Sequence, residues 1–451
     1  MEPRPARSRF ALALLVCLVA VPAAAAPGDT TWVRTFQEDF INWATPHDSS
    51  FTFPDDPFAY SQVVLFYTIG CPTSPGDCDP WDRLGYLQVV GDTEMTEIAR
   101  IVTPYDITGG GGPGTCTWEI NVSPYKTLLT GEVTLRNYIE SWIGGTRGWL
   151  ATLDFAFIEG EREYEPYRVA NLWQAGHATY GDPDNPVDAA FQPMTIPTDP
   201  ATAKIKVRVL ASGHGQGNTD NCAEFCRKEH SLIAGGDTYS HNLWRTDCSV
   251  NPCSPQGGTW TFARAGWCPG ADVKPWNVDI TSSFTPGQPI TLDYDIEPYE
   301  NFCRPSNPDC VSGSTCADCD YNYTGHTQPH YTIRAQAILY YLRTSVTGAG
   351  EQGNAETASG RSMNVNASPN PFSGSTTLTG TVSRPGRVRV TIHDASGRLV
   401  RAMSRFQAVP GTLAVPWDGR DTEGTPVAAG TYFARMIADG TGSVAKVVVI
   451  R

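Results

Sequence analysis

The chain has 451 residues, of which 40% are hydrophobic and 18% charged, with 43 glycines, 35 prolines and a net charge of −14. That length allows roughly two to four domains, and so much Gly and Pro with few helical periodicities favours β-sheet domains joined by turns. The first 26 residues carry +2 and the last 89 carry +5, leaving −21 on residues 27–362; this body repels nucleic acid and anionic membrane and leaves neutral or cationic partners, sugars included.

Residues 1–26 read as a secretory signal peptide. Arg4, Arg7 and Arg9 precede the short apolar run "ALALLVCLVAVP", and "AAAA" offers a small-residue cleavage site. The run is too short to span a membrane, and no later segment is long and apolar enough. A secreted or cell-surface protein is expected. Thirteen cysteines less Cys17 leave twelve, all between Cys71 and Cys319. An even number in an exported chain predicts six disulfides.

From residue 27 to 163, short β-type runs ("VVLFYTI", "GYLQVV", "EIARIV", "TWEINV", "VTLRNYIE", "TLDFAFIE") alternate with Gly, Pro and Asp turns, a spacing that suits a jelly roll. "EREYEPYR" at 161–168 reads as a charged linker. A second antiparallel sandwich is predicted over 164–345, with "KIKVRVLASG" and "YTIRAQAILYYL" as its longest strands. Residues 346–362 lack apolar periodicity and read as a flexible linker. Residues 363–451, where "RVRVTIH" alternates and "KVVVIR" ends the chain, form a small all-β module.

Four stretches combine rare residues. In "NCAEFCRKEH" a Cys222–Cys226 bridge would close a loop of five residues around Glu224. Such a loop gains about 2 kcal/mol against about 4.7 for a hundred-residue loop, so stability is a weak reason for it. Glu224 is either an ordinary solvated glutamate on a turn or a carboxylate held in one orientation for binding or acid–base work. In "CPTSPGDCDPWDRLGYLQV", Trp81, Asp82 and Arg83 stand immediately before a strand. In "NYIESWIGG", Glu140 and Trp142 are expected on one face of a strand, two residues apart. "RAGWCPG" adds Arg264 and Trp267 beside Cys268. Alone, an Asp–Arg pair is commonly a surface ion pair and a strand-end Trp is commonly core.

In order, these stretches resemble one family, the bacterial peptide-N-glycosidase F family, over about residues 35–341. The resemblance rests on "SFTFP", the C…CDxWDR of 71–83, "TPY" at 103–105, the Y-x-E-x-W of 138–142, the CAExC of 222–226 and "RAGWCPG" at 264–270. It implies two jelly rolls side by side with a site between them, and an amidase that cuts the bond joining an N-linked glycan to asparagine, releasing a glycosylamine and leaving aspartate. By the same resemblance Asp82, Glu140 and Glu224 fall on catalytic positions, and Arg83, Trp142, Arg264 and Trp267 on substrate-contacting ones. It further implies the bridges Cys71–Cys78, Cys222–Cys226 and Cys248–Cys268. The staple would then aim a second-domain carboxylate at two from the first. Asp82 is expected to be the primary acid/base, with Glu224 and Glu140 orienting water and sugar hydroxyls. No cofactor or metal is required, and a monomer acting on glycopeptides or glycoproteins is expected.

The chain also departs from the family. His214 and Gln216 stand where members carry Trp and His, and Pro80 and Phe225 are milder changes. An insertion, "NFCRPSNPDCVSGSTCADCDYNYTGHTQPH", brings four cysteines, and Cys116 and Cys253 are also extra. The pairing of Cys116, Cys253, Cys303, Cys310, Cys316 and Cys319 is open. Cys316-x2-Cys319…His326-x3-His330 has zinc-like spacing, but an exported chain with even cysteines favours disulfides. Eight histidines without a His-His cluster in the first domain speak against a copper monooxygenase on a similar paired jelly roll. A non-catalytic glycan-binding protein is the alternative to the amidase. The last module resembles a type IX secretion sorting domain and the Ig-like module of flagellar hook-capping proteins, through "SPNPF", "VTIHDASGRLV" and "PWDGRDTEGTPVAAGTYFARM". That implies an address to the export machinery.

Overall fold

A computed structural model describes residues 28–304, 306–308, 310 and 327–343, and residues 364–450 apart from 383–385, 396, 408–410, 423–424 and 439–440. The signal sequence, the linker before residue 364, and Cys316, Cys319 and His326 lie outside the described residues.

Ten strands form the first unit: β1 (Thr30–Arg34), β2 (Asp39–Ile41), β3 (His47–Phe53), β4 (Tyr60–Gly70), β5 (Asp77–Cys78), β6 (Leu84–Val90), β7 (Met95–Val102), β8 (Thr115–Asn121), β9 (Gly131–Ile139) and β10 (Arg147–Glu159). One sheet has the order β1-β10-β4-β8, with β2 and β5 also on β10, and the other has β3-β9-β6-β7. The period-2 pattern explains the stacking: in β8, Cys116, Trp118 and Ile120 are buried while the residues between them are exposed. The two sheets close on a core that includes Leu65, Tyr67, Leu135, Trp149, Leu153 and Phe155.

The second unit has β11 (Tyr164–Thr179), β12 (Met194–Ile196), β13 (Thr202–His214), β14 (Glu229–Ala234), β15 (Asp237–Asn242), β16 (Trp276–Asp279), β17 (Ile290–Ile296) and β18 (His330–Leu342). Its sheets run β11-β18-β13-β16 and β12-β17-β14-β15. Strand β18 is buried almost throughout because both of its faces are covered, with Thr332, Arg334 and Gln336 alternating with apolar residues over its first half. Tyr331, Ile333, Ala335, Ala337 and Leu339 pack into the second core, whereas Ile338 and Tyr340 join the first. The chain is thus an all-β protein of two antiparallel sandwiches side by side.

The interface between them is polar and buried. Arg100, on β7, ion-pairs with Glu97 and donates to Thr332 O (2.7 Å) and Ser212 Oγ (3.2 Å) across the boundary. Tyr125 reaches Gln336, and the Trp118 indole N–H donates to Gly270 O. Cys116 and Cys253, whose pairing was open, are bonded to each other across this boundary. A bridge spanning 137 residues belongs to the long-loop case, about 5 kcal/mol in the chain-entropy model. The other described bridges are Cys71–Cys78, Cys222–Cys226 and Cys248–Cys268. Cys303 and Cys310 are also disulfide-bonded.

Two expectations are corrected here. The "charged linker" of 161–168 is largely strand, because β11 begins at Tyr164 and Glu165 is fully buried. Its carboxylate pairs with the buried Lys126 and with Arg343, so those charges are interface, not solvated spacer. Glu140 and Trp142 do not lie on a strand. Strand β9 ends at Ile139, and the chain then turns as the Ser141 hydroxyl drops onto buried Asp79 (2.6 Å).

Between Val365 and Val449 seven further strands form a three-stranded and a four-stranded sheet around Leu378, Val390, Trp417 and Met436.

Candidate active site

Asp82 sits in the short loop between β5 and β6, and Asp79, fully buried, fixes that loop. Asp79 accepts from the Trp81 backbone N–H (3.0 Å), from Arg83 Nε (3.0 Å) and from Ser141 Oγ. Thr103 adds a second clamp, donating to Trp81 O and accepting from the Arg83 backbone N–H. Asp79 belongs to the quoted motif but was not singled out. Its signal is the short distance in sequence to Trp81 and Arg83, the spacing of an Asx-type turn.

Glu224 comes from the loop between β13 and β14. Its backbone N–H donates to Gly215 O (3.1 Å) and its carbonyl accepts from Ala265 (2.9 Å), so the CAExC and RAGWC segments are stitched together. Gly213 and Gly266 make this possible. A Cβ on Gly213 would meet Ala223 O at 2.6 Å, and Gly266 (φ +82°) would drive one into Ala211 O at 2.5 Å.

Arg264 Nε donates to Glu224 Oε1 at 3.0 Å. Arg264 also donates to Thr259 O and Phe262 O, and its guanidinium lies over Phe225 and Trp267. Of the four residues expected to touch substrate, Arg264 and Trp267 are nearly sealed, at 3% and 4% exposure. The Trp267 indole N–H is spent on Gly213 O. They support the site wall; aromatic surface facing solvent is offered by Trp142, which packs edge-to-face on Trp43 (5.6 Å), each 51% exposed, and by Trp81 next to Asp82, 49% exposed. Trp43 was missed, since it lies about a hundred residues from Trp142 in a stretch with no motif. Asn42 holds it there by donating to Gly145 O and accepting from Gly144 N–H.

The three carboxyl groups share one electrostatic neighbourhood across the domain boundary. Burial pushes Asp82 up to about 6, with Asp79's charge adding and Arg264 and Arg83 opposing. Glu224 is pushed up to about 7, again by burial first, and is raised further by the charge of Asp82 while Arg264 pulls it down. Glu140 is raised by burial and feels opposing charges on Arg83 and His177. Carboxyls of nearly matched affinity, one from each sandwich, can hold and exchange a proton near neutrality.

Beside them lies a row of rings. His177 stacks on His330 (centroids 3.8 Å), His330 on His214 (5.3 Å) and His214 on Trp267 (5.3 Å). His330, flagged for its zinc-like spacing, is therefore the first residue of β18 and part of this stack. Among the described residues no group of three or more His, Cys, Asp or Glu is arranged to hold a metal ion.

Comparison with known proteins fits this geometry. The family model "Peptide-N-glycosidase F, C terminal" matches residues 183–310, and "FlgD Ig-like domain" matches 362–442. The chain is 29% identical over 300 residues to peptide-N(4)-(N-acetyl-beta-D-glucosaminyl)asparagine amidase F of Elizabethkingia miricola, covering 63% of this chain and 82% of that protein. A structure of PNGase F, a glycosylasparaginase from Flavobacterium meningosepticum, superposes with a TM-score of 0.56 at 26% identity, covering 69% of this chain and 96% of that one. Recombinant peptide:N-glycanase F gives 0.55 at 25% identity over the same shares. PNGF-II, at 13% identity and a TM-score of 0.51, shares the fold. The body of this chain is thus similar in sequence and fold to peptide-N-glycosidase F, and the segment that follows it matches an Ig-like domain of the FlgD type.

Proposed function

We propose that the protein is an exported amidase that hydrolyses the amide bond between N-acetylglucosamine and asparagine in N-linked glycopeptides and glycoproteins. The glycan leaves as a glycosylamine and the asparagine becomes aspartate. One observation carries the reading: Asp82 of the first sandwich and the Arg264-bound Glu224 of the second are close enough that each carboxyl's proton affinity answers to the other side. In this scheme ionised Asp82 takes a proton from water as the water oxygen bonds to the amide carbon. The protonated form of Glu224, still substantially populated near pH 7, gives its proton to the nitrogen as the C–N bond breaks. The Arg83 guanidinium, held through Nε by Asp79, stabilises the charge that develops on the carbonyl oxygen. Glu140 orients sugar hydroxyls, and Trp142 packs against the apolar face of a sugar ring.

The test is incubation with an N-glycopeptide, followed by mass spectrometry of both products. Release of glycan together with conversion of Asn to Asp is expected. Glycan retained on the peptide, with measurable binding, would leave a glycan-binding protein in its place.

The module from residue 363 acts, on this reading, as an address for type IX export. It has its own core, so a chain ending at residue 345 should fold and turn over substrate but fail to reach the surface of a type IX host. Unchanged export of that chain would remove the sorting role.

A further inference from the structure

The histidine row occupies a particular place on the fold. On β13 and β18 the residues that face the first sandwich are Arg208 and Ser212, and Gln336, Arg334 and Thr332, each in contact with it or with Arg100. Side chains alternate along a strand, so His214 and His330 are the next residues on that same face. They are cross-strand partners. Thr332 is buried and His330 partly open, so the row begins where the two sandwiches part. His177, near the end of β11, extends it to a third strand. One end of the row rests on Trp267, against which lies the Arg264 that holds Glu224. At the other end the charge of Glu140 interacts with His177. The row therefore runs between two of the carboxylates, and the proton-transfer scheme uses none of it.

The rings lie face on face, within 29° of parallel. Their faces are taken by one another, so a ligand beside the row meets ring edges. Parallel rings also aim their nitrogens side by side rather than at one point, which suits hydrogen bonding along a surface and not chelation of a metal. His330 Nδ1 lies 3.0 Å from Gln328 O, an acceptor, so Nδ1 carries the hydrogen and Nε2 is left as an acceptor. His214 Nε2 lies 2.9 Å from Ser212 Oγ. Ser212 already accepts from Arg100, and its own proton is free for that nitrogen, leaving Nδ1–H of His214 as a donor. Burial holds His330 down to about 4, with His177 adding to it, and burial, His330, Arg100 and His177 lower His214. Near neutrality His330 and His214 are therefore uncharged and offer one acceptor and one donor side by side, which is complementary to hydroxyl and acetamido groups.

We propose that His177, His330 and His214 form a binding surface for the neutral sugar residues beyond the one that carries the scissile amide, and so set glycan affinity without transferring protons. This rests on the amidase reading for its substrate, and the experiment separates the two. Steady-state kinetics are measured for wild type, His330→Phe and His330→Ala on one glycopeptide bearing a full glycan and on another trimmed to a single N-acetylglucosamine. His330→Phe keeps a flat ring in the stack and removes the edge nitrogens. Loss of one or two hydrogen bonds predicts a KM about tenfold higher on the full glycan for both variants, with a much smaller change on the single-sugar substrate and with kcat falling less than KM rises. Wild-type KM in His330→Phe, or equal losses on both substrates, overturns the proposal and makes the row packing only. If wild type releases no glycan, the amidase reading fails by itself. Calorimetric titration of free glycan into wild type and His330→Phe then decides the row, with equal affinities overturning it.

Discussion

Glu224 and Arg264, 40 residues apart in sequence, form a 3.0 Å ion pair in which the arginine is 3% exposed and the glutamate side chain 15%. The arginine is inside the wall and the carboxyl is at its surface. Arg264 therefore acts on chemistry through the charge it presents to Glu224 and Asp82, both of which it pulls toward ionisation.

The pH profile follows from those two groups. Below about 6 Asp82 is protonated and cannot accept a proton from water, and above about 7 Glu224 is ionised and cannot supply one. A bell-shaped dependence of kcat/KM is expected, with its maximum between those values. Asp82→Asn should lower turnover by roughly 10²–10⁴-fold while glycopeptide binding survives. Glu224→Gln should show a similar defect and lose the alkaline limb. A flat profile across neutrality, or wild-type turnover in Asp82→Asn, would refute the assignment.

Stability should respond to the same carboxyl with the opposite sense from an ordinary paired acid. Glu224 rises from 4.5 to about 7 on folding, so the native state binds more protons within that window. Stability is complete below the lower value and is lost as pH rises through the upper one. Glu224→Gln removes this cost. Its melting temperature should exceed that of wild type at about pH 8, with the gap closing toward about pH 4. Thermal scans at both pH values check this, and a gap independent of pH would contradict it.

Replacing Cys222 and Cys226 together by serine should cost about 2 kcal/mol from loop length. Glu224 N–H and C=O retain their partners Gly215 and Ala265, so the segment remains docked. Turnover should fall more than tenfold all the same, because small displacements of an acid–base group are costly. Denaturant midpoints and kcat measured on the same preparation make the comparison. Near-normal turnover would leave the staple a structural role only.

At the domain boundary, Lys126 and Glu165 are both fully buried and paired, and the lysine also donates to Tyr60 O. Lys126→Met strands Glu165 with Arg343 as its remaining cation, at 3.3 Å. A loss of roughly 3 kcal/mol is expected, and the double variant Lys126→Met/Glu165→Leu should recover part of it. Denaturant melts of both variants provide the measurement; a neutral single variant would mean that the pair is dispensable.

Much of this protein could be read from the linear chain because the relevant information is local. Alternation every second residue marks β8 and β18 as strands, and short spacings hold Asp82 beside Arg83 and Glu224 between two cysteines. The three bridges implied by resemblance are also present.

Tertiary structure alone decided the rest, because the partners come from segments far apart in sequence. Cys116 meets Cys253 only when the two sandwiches dock, and Glu165 looks like linker until Lys126 is brought to it. Arg264 and Trp267 became wall, and Trp43 became surface, through packing that no local pattern encodes. Three isolated histidines, on β11, β13 and β18, become neighbours because strand order in that sheet is not chain order. Side-chain alternation is written within a strand, whereas the strand that lies beside it is set by burial of the whole interface.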